Sequence, residues 1–273
     1  MPEKVLLSTL SHDTNNSRVY VMHIHPDDMP ELIPHIETLA SQHQYGKLIV
    51  KSPTRYVPTF LAAGYRIEAV IPGFYKSEED GFFLVKYLIS ARQYPEIEAL
   101  KQLDQMLCKA PNPIPEEADH RYRFRALLES DCRDMAGVFS QVFASYPFPI
   151  HDPTFLAKSL LEDGTRYFGA FFEDKLVAIS SAECALEELH AEMTDFAVLP
   201  EHRGKRLAIH LLRIMESELK KDGYKTLYTI ARLHEPAMNK TFYNQGYRYV
   251  GTLHRNTQIA GKIESMNVWY RSL

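Results

Sequence analysis

The chain has 273 residues, 45% hydrophobic and 24% charged, with a formal net charge of −4. That is an ordinary globular composition, long enough for two modest domains or one large one. No segment concentrates Lys and Arg, which argues against a nucleic-acid partner. The longest apolar run, Gly81–Ile89, is short and broken by Lys86, so no membrane span is expected. The first residues lack the charged-then-apolar layout of a secretory signal, and a cytoplasmic location is expected.

In chain order, "MHIHPDDMPEL" (Met22–Leu32) leads into a first helix without any glycine turn. His23 and His25 can share a strand face, but no third ligand is near, so no metal is expected. A second helix runs from Pro95 to Cys108, with Ile97, Leu100, Leu103 and Leu107 on one stripe. Lys109–Arg121 then carries Pro111, Pro113 and Pro115 at alternate positions, which favours an extended path and blocks a helix. This divides the chain into an N-terminal part (1–110), a linker (111–121) and a C-terminal part (122–273). The latter alternates: a strand at Tyr122–Leu128, a helix from Asp131 to Phe143, a second from Pro153 to Gly164, and a hairpin turning at Glu173–Asp174. Another strand, His190–Leu199, precedes a helix with Leu207, Leu211, Met215 and Leu219 on one face, which ends near Gly223 after Lys220 and Lys221. A strand (Thr226–Ile230), a helix up to Gly246 and two strands complete an α/β chain of α+β type, in a mixed, mostly antiparallel sheet. Cys108, Cys132 and Cys184 lie far apart and read as reduced, mostly buried thiols.

The sequence also repeats itself. "FLAAGYRIEAV" (Phe60–Val70) and "FYNQGYRYVGT" (Phe242–Thr252) share the frame F-x-x-x-G-Y-R. Upstream of each lies a helix and then Tyr-x-x-Leu entering a strand; downstream come a turn and a strand ending in Tyr. The N-terminal part is thus a partial copy of the later C-terminal half.

Only the second copy has a turn suited to phosphate, "RGKRLA" (Arg203–Ala208), between a strand and an amphipathic helix. The first N–H groups of a helix lack intrahelical partners and carry partial positive charge, so a diphosphate can accept several at once. Gly204 and Ala208 let it approach; Arg203, Lys205 and Arg206 add charge, and Leu207 opens the helix. The pattern R-x-x-G-x-(G/A), with the lead-in "VLPEHRG" and the later "FYNQGY", resembles the acetyl-CoA signature of the GNAT N-acetyltransferases over Tyr122–Leu273. The resemblance implies a GNAT acyl-CoA N-acyltransferase fold with an N-terminal GNAT-like half domain. It also implies acetyl-CoA as cosubstrate, lying beside Phe196–Val198. Arg206 stands where the signature has Gly; it is accommodated if the backbone there is right-handed helical, and the site is lost only if the position needs a positive φ or no Cβ. The tyrosine that protonates the leaving thiolate in many members falls on Phe242, while Tyr243 points about 100° away around the helix.

For the acceptor, an alkyl ammonium of pKa about 10.4 leaves only about one free amine in 10³ at neutral pH, so a base helps. Glu192 and Asp195 precede the phosphate turn. Three positions apart on a strand, they are expected on opposite faces, with Glu192 the preferred base and Asp195 a second candidate or an ammonium binder. "ASYPFPIHDP" offers Tyr146, Phe148 and Ile150 as walls of an alkyl slot and Asp152 for an ammonium. Near the end, Arg255, Asn256 and Glu264 suit a zwitterion. The whole chain further resembles the β-lysine N6-acetyltransferase family, through Ile71–Leu88, Tyr146–Pro153, Glu192–Leu212 and Gly261–Tyr270. This implies acetylation of the side-chain amine of β-lysine, itself made by a lysine 2,3-aminomutase, to give a compatible solute formed under salt stress. Lysine, ornithine or a polyamine as acceptor, and a non-catalytic acetyl-CoA-binding module, are the alternatives. The N-terminal copy is open to two roles, pairing two chains as a homodimer or covering the acceptor site.

Overall fold

The computed structural model describes residues 6–112, 119–144, 146, 148–259 and 261–273; the central linker prolines Pro113 and Pro115 lie outside the described residues. The N-terminal part builds β1 (Thr9–Asp13), β2 (Arg18–His23), α1 (Leu32–Gln42), β3 (Lys47–Pro53), α2 (Val57–Ala62), β4 (Arg66–Tyr75), β5 (Glu79–Tyr87) and α3 (Ile97–Leu107). The C-terminal part builds β6 (Tyr122–Ala126), α4 (Cys132–Val142), α5 (Pro153–Leu161), β7 (Thr165–Phe172), β8 (Lys175–Ala185), β9 (His190–Val198), α6 (Leu207–Lys221), β10 (Thr226–Arg232), α7 (Pro236–Asn244), β11 (Arg248–Ile259) and β12 (Lys262–Ser272). All strands join one 12-stranded sheet in the order β1-β2-β3-β5-β4-β11-β12-β10-β9-β8-β7-β6. The pairs β2–β3 and β9–β10 are parallel, each bridged by a helix, within an otherwise antiparallel sheet.

The repeat is therefore architectural. The run β1-β2-α1-β3-α2-β4-β5 has the topology of β8-β9-α6-β10-α7-β11-β12, and the two meet edge to edge where β4 pairs antiparallel with β11. The pairing places Ala69 opposite Gly251. Both are the tenth residue from the first Phe of the F-x-x-x-G-Y-R frame (60 + 9 and 242 + 9), so the junction is a local pseudo-two-fold. Gly251 is required there: its φ is +148°, and a Cβ would stand 2.0 Å from the Glu68 carbonyl oxygen.

Side-chain alternation sorts the layers. In the N-terminal copy Val19, Val21, Leu48 and Val50 pack against α1 and α2, with Leu32, Ile36 and Phe60. The opposite face brings Ile49, Ile71, Phe83 and Val85 together with Tyr228, Leu253, Val268 and Tyr270 of the C-terminal copy. The sheet thus curls across the junction, and the copies share a core on its inner face. On β8, Ser180 points to Met215 of α6, whereas Tyr167, opposite Ser181, meets Ser159 of α5 at 2.8 Å. So α6 lies outside and α5 inside. The predicted stripe of α6 holds: Leu207, Leu211, Met215 and Leu219 are all buried, each contributing about 1.5–3 kcal/mol relative to exposure. The cysteines are all free, but Cys108 is exposed, unlike the buried thiol expected.

Candidate active site

The turn before α6 has the geometry of an anion cradle. Gly204 and Arg206 both take left-handed conformations, φ +74° and +62°, and alternation with such residues curls successive N–H groups toward one point. From Gly204 to Ala208 no backbone carbonyl accepts these N–H groups among the described residues; pairing resumes with Ile209 and His210 onto the Arg206 carbonyl. Arg203, Lys205 and Arg206 are exposed at its rim, whereas Leu207 is buried in the core and offers only its backbone. The backbone at Arg206 is left-handed rather than right-handed helical, the condition under which the site was expected to be lost; the chain takes this conformation with Arg in place of Gly at a cost of about 1–2 kcal/mol, so the turn keeps its shape and that criterion was too strict.

Beside this turn the sheet opens. β9 and β10 pair only from Thr226↔His190 to Tyr228↔Glu192, then part. The Leu199 N–H points back to the Val177 carbonyl, so alternation turns the N–H of Val198 toward the gap. The Val198 carbonyl accepts from Arg203 Nε at 3.2 Å, which ties the strand end to the phosphate turn.

On the inner face at this gap, carboxylates converge. Glu192 stands directly opposite Glu183 of β8 and opposite Tyr228 of β10. The register of β8 and β9 slips between Ile179 and Ser181, leaving Asp195 and Phe196 opposite Ser180 alone. Asp195, at φ +53°, forms this bulge; Asp is among the few residues that tolerate it. The bulge overturns the expectation that Glu192 and Asp195 face opposite sides. Asp195 turns inward and accepts from Ser181 Oγ at 2.6 Å and from Tyr146 Oη. Phe196 turns outward, edge-on to Phe242 at 5.7 Å.

Burial raises all three carboxyls above their ordinary range. Glu183 is pushed to about 8, by burial and then by the charges of Glu192 and Asp195. Glu192 is raised by burial, with Asp195 adding and Lys51 and Tyr228 opposing. Asp195 is raised by burial against the hydrogen bonds of Ser181 and Tyr146. Glu183 itself is exposed, at the open side, whereas Glu192 and Asp195 are half-buried, so the three line a recess that opens to solvent at Glu183.

Other predicted site residues lie elsewhere. Phe148 is exposed rather than walling a slot, and Ile150 is in the core. Asp152 is exposed and caps α5, accepting from the Thr154 N–H at 2.9 Å, so it does not join the carboxylates. Glu264 is held by Arg232 through two bonds of 2.8 Å. Six positions along β12 from Tyr270 (270 − 264), it is roughly 20 Å from the Glu192 level at about 3.3 Å per residue. Arg255 and Asn256 form part of the joint between the copies: the Arg255 carbonyl accepts from Arg92 Nη2 at 2.6 Å, and that of Asn256 from Arg18 Nη1 at 2.7 Å. Phe242 is buried, and the Tyr243 hydroxyl donates to the carbonyls of Leu107 and Lys109. Sequence reasoning missed Glu183, Ser181, Tyr228 and, from β2 and β3, Tyr20 and Lys51. The only signal was a polar residue recurring on one face of an otherwise apolar strand, as in Lys47, Ile49 and Lys51.

Among known proteins, the acetyltransferase (GNAT) family profile matches residues 124–247. The chain is 34% identical to a β-lysine N6-acetyltransferase of Methanococcus maripaludis, over 94% of this chain and 93% of that one. It is 28% identical to the N-acetyltransferase YodP of Bacillus subtilis, over 97% and 96%. A solved structure, the ribosomal-protein-S5-alanine acetyltransferase of Vibrio fischeri, superposes with a TM-score of 0.50 at 14% identity, covering 57% of this chain and 95% of that one.

Proposed function

The chain belongs to the GNAT family of amine N-acetyltransferases, which use acetyl-CoA, and on that premise we propose that it acetylates the N6 amine of β-lysine. The observation that carries the acceptor reading is the recess: three inward carboxyls on β8 and β9 beside a parted strand pair, groups that suit the ammonium groups of a diamine. The M. maripaludis relative, named for β-lysine, supports that choice. The product, N6-acetyl-β-lysine, would serve as a compatible solute in the cytoplasm.

In this reading the diphosphate of acetyl-CoA lies on the N–H groups of Gly204–Ala208, with Arg203, Lys205 and Arg206 at its rim. The thioester lies in the gap beside Phe196–Val198, and the Val198 N–H faces its carbonyl oxygen. Glu192 takes the proton of the acceptor ammonium, directly or through a water; its raised pKa brings it nearer to that of the amine. The freed nitrogen forms a bond to the acetyl carbon, the C–S bond breaks, and the extra proton on the new amide nitrogen leaves to water. Asp195, fixed by Ser181 and Tyr146, orients the ammonium. With Phe242 lacking a hydroxyl and Tyr243 tied to α3, the departing thiolate takes its proton from water; a thiol of pKa about 8.5 is an adequate leaving group.

Thiol release from acetyl-CoA across a panel of β-lysine, lysine, ornithine and spermidine tests the reading. β-Lysine is expected to give the highest kcat/KM, with the acetyl on N6 by mass spectrometry. A preference for spermidine would contradict it.

A further inference from the structure

Two lysines point from β3 into the inner face, and they are used differently. Lys47 is fully buried and paired: its Nζ donates to Glu68 Oε2 at 3.0 Å and to the His254 carbonyl at 2.8 Å. Lys51, one turn of the pleat beyond Ile49, reaches the carboxylate recess. Its Nζ donates to Tyr228 Oη at 3.3 Å, and it stands 5.7 Å from the Tyr228 ring centroid, 5.8 Å from that of Tyr20 and 6.0 Å from that of Phe74. No carboxylate reaches ion-pair distance of it among the described residues. Tyr20 is a second hydrogen-bond partner; an ammonium has three donors, so this one, boxed by rings and half-buried, retains one for an anion. Tyr228 is the neighbour of Glu192 across β9 and β10, so that anion would lie at the end of the recess away from the Asp195 bulge.

We propose that Lys51 binds the carboxylate of the acceptor, so that the N-terminal copy reads the acid end of a diamino acid whose amine is acetylated on the C-terminal copy. This rests on the recess being the acceptor site. The charges then match in kind: Lys51 faces the acceptor's carboxylate, and Glu183, Glu192 and Asp195 face its two ammonium groups. Burial on its own lowers the Lys51 pKa, but Tyr20, Glu192 and Glu183 outweigh it and keep the ammonium charged. A polyamine, which has no carboxylate, offers nothing for Lys51 to hold.

The test compares β-lysine with its carboxamide, binding to the full-length protein by calorimetry, which needs no turnover. The wild type is expected to bind β-lysine about 10- to 100-fold more tightly than the amide, the range of one charge-assisted contact. Lys51→Met should bind the two alike, and Lys51→Arg should restore part of the preference. Equal binding of acid and amide by the wild type, or binding of neither, overturns the proposal, as does an undiminished preference in Lys51→Met. If Lys51→Met fails to fold, Lys51→Gln takes its place, with the same loss of preference expected and an undiminished preference again overturning the proposal. Thiol release with both ligands separates the two claims: acetylation of the amide as fast as the acid leaves the recess as the acceptor site and removes Lys51 from recognition.

Discussion

The units β2–α1–β3 and β9–α6–β10 have the same topology and opposite fates. In the second, β9 runs on past its three paired residues, the sheet parts, and the turn into α6 leaves its N–H groups free beside basic side chains. In the first, β2 and β3 pair from Arg18↔Lys47 to Val21↔Val50 and β2 ends at His23, leaving no comparable overhang. Its loop has no glycine; instead the buried Asp28 carboxylate accepts from Ser8 Oγ and from the N–H groups of Leu7 and Ser8. An anion of the chain's own fills that loop. Register also equates the two inner faces: Tyr20 is opposite Ile49 as Glu192 is opposite Tyr228. The lesson is that of two units with one topology, one can lack the open turn and strand gap and still keep its place against the other, where its inner face lines a shared recess.

The comparison breaks hardest at Glu192. Glu192→Gln should lower kcat by about 10²–10³-fold and remove the acid limb of the pH–rate profile, read by thiol release. No loss would move the base elsewhere. Next, Gly251→Ala should destabilise the joint between the copies by roughly 2–4 kcal/mol, from the Cβ clash with Glu68 and the strained φ; urea unfolding checks it. Glu183→Gln sharpens the electrostatics. Glu192 and Asp195 are the like charges that help to raise Glu183 to about 8, whereas the charge that raises Glu192 is Asp195. Glu183 is then still neutral where Glu192 ionises, so Glu183→Gln should leave the acid limb and the plateau rate of the thiol-release profile in place. A clear shift of the acid limb would mean that Glu183 ionises first and would reverse the assignment. Smallest is Arg206→Gly: relief of the left-handed strain is partly offset by a more flexible unfolded chain, for a gain of about 0.5 kcal/mol in stability. Acetyl-CoA affinity should stay within about fivefold.

Much of the proposed cosubstrate half was legible because it is local. Strand, turn and helix are contiguous, and Gly204, Ala208 and the stripe of α6 announce themselves by spacing. The acceptor half was not. Glu183 meets Glu192 only through the β8–β9 register, and that register contains a bulge which the alternation rule cannot foresee; hence the wrong facing of Asp195. Lys51 joins Glu192 only because the sheet curls about the Ala69–Gly251 pair, a contact between residues far apart in the chain. Asp152 misled in the opposite direction: a carboxylate before a Pro-led helix reads as a charged site, and its proximity to the Thr154 N–H makes it a cap.

The account turns on one copy keeping the cosubstrate cradle while both shape the recess. Calorimetric titration of acetyl-CoA into the wild type and Ala208→Glu tests this most directly. One site per chain is predicted, with affinity reduced at least about 100-fold when the glutamate carboxylate occupies the mouth of the cradle. Two sites per chain, or unchanged binding in Ala208→Glu, would contradict it.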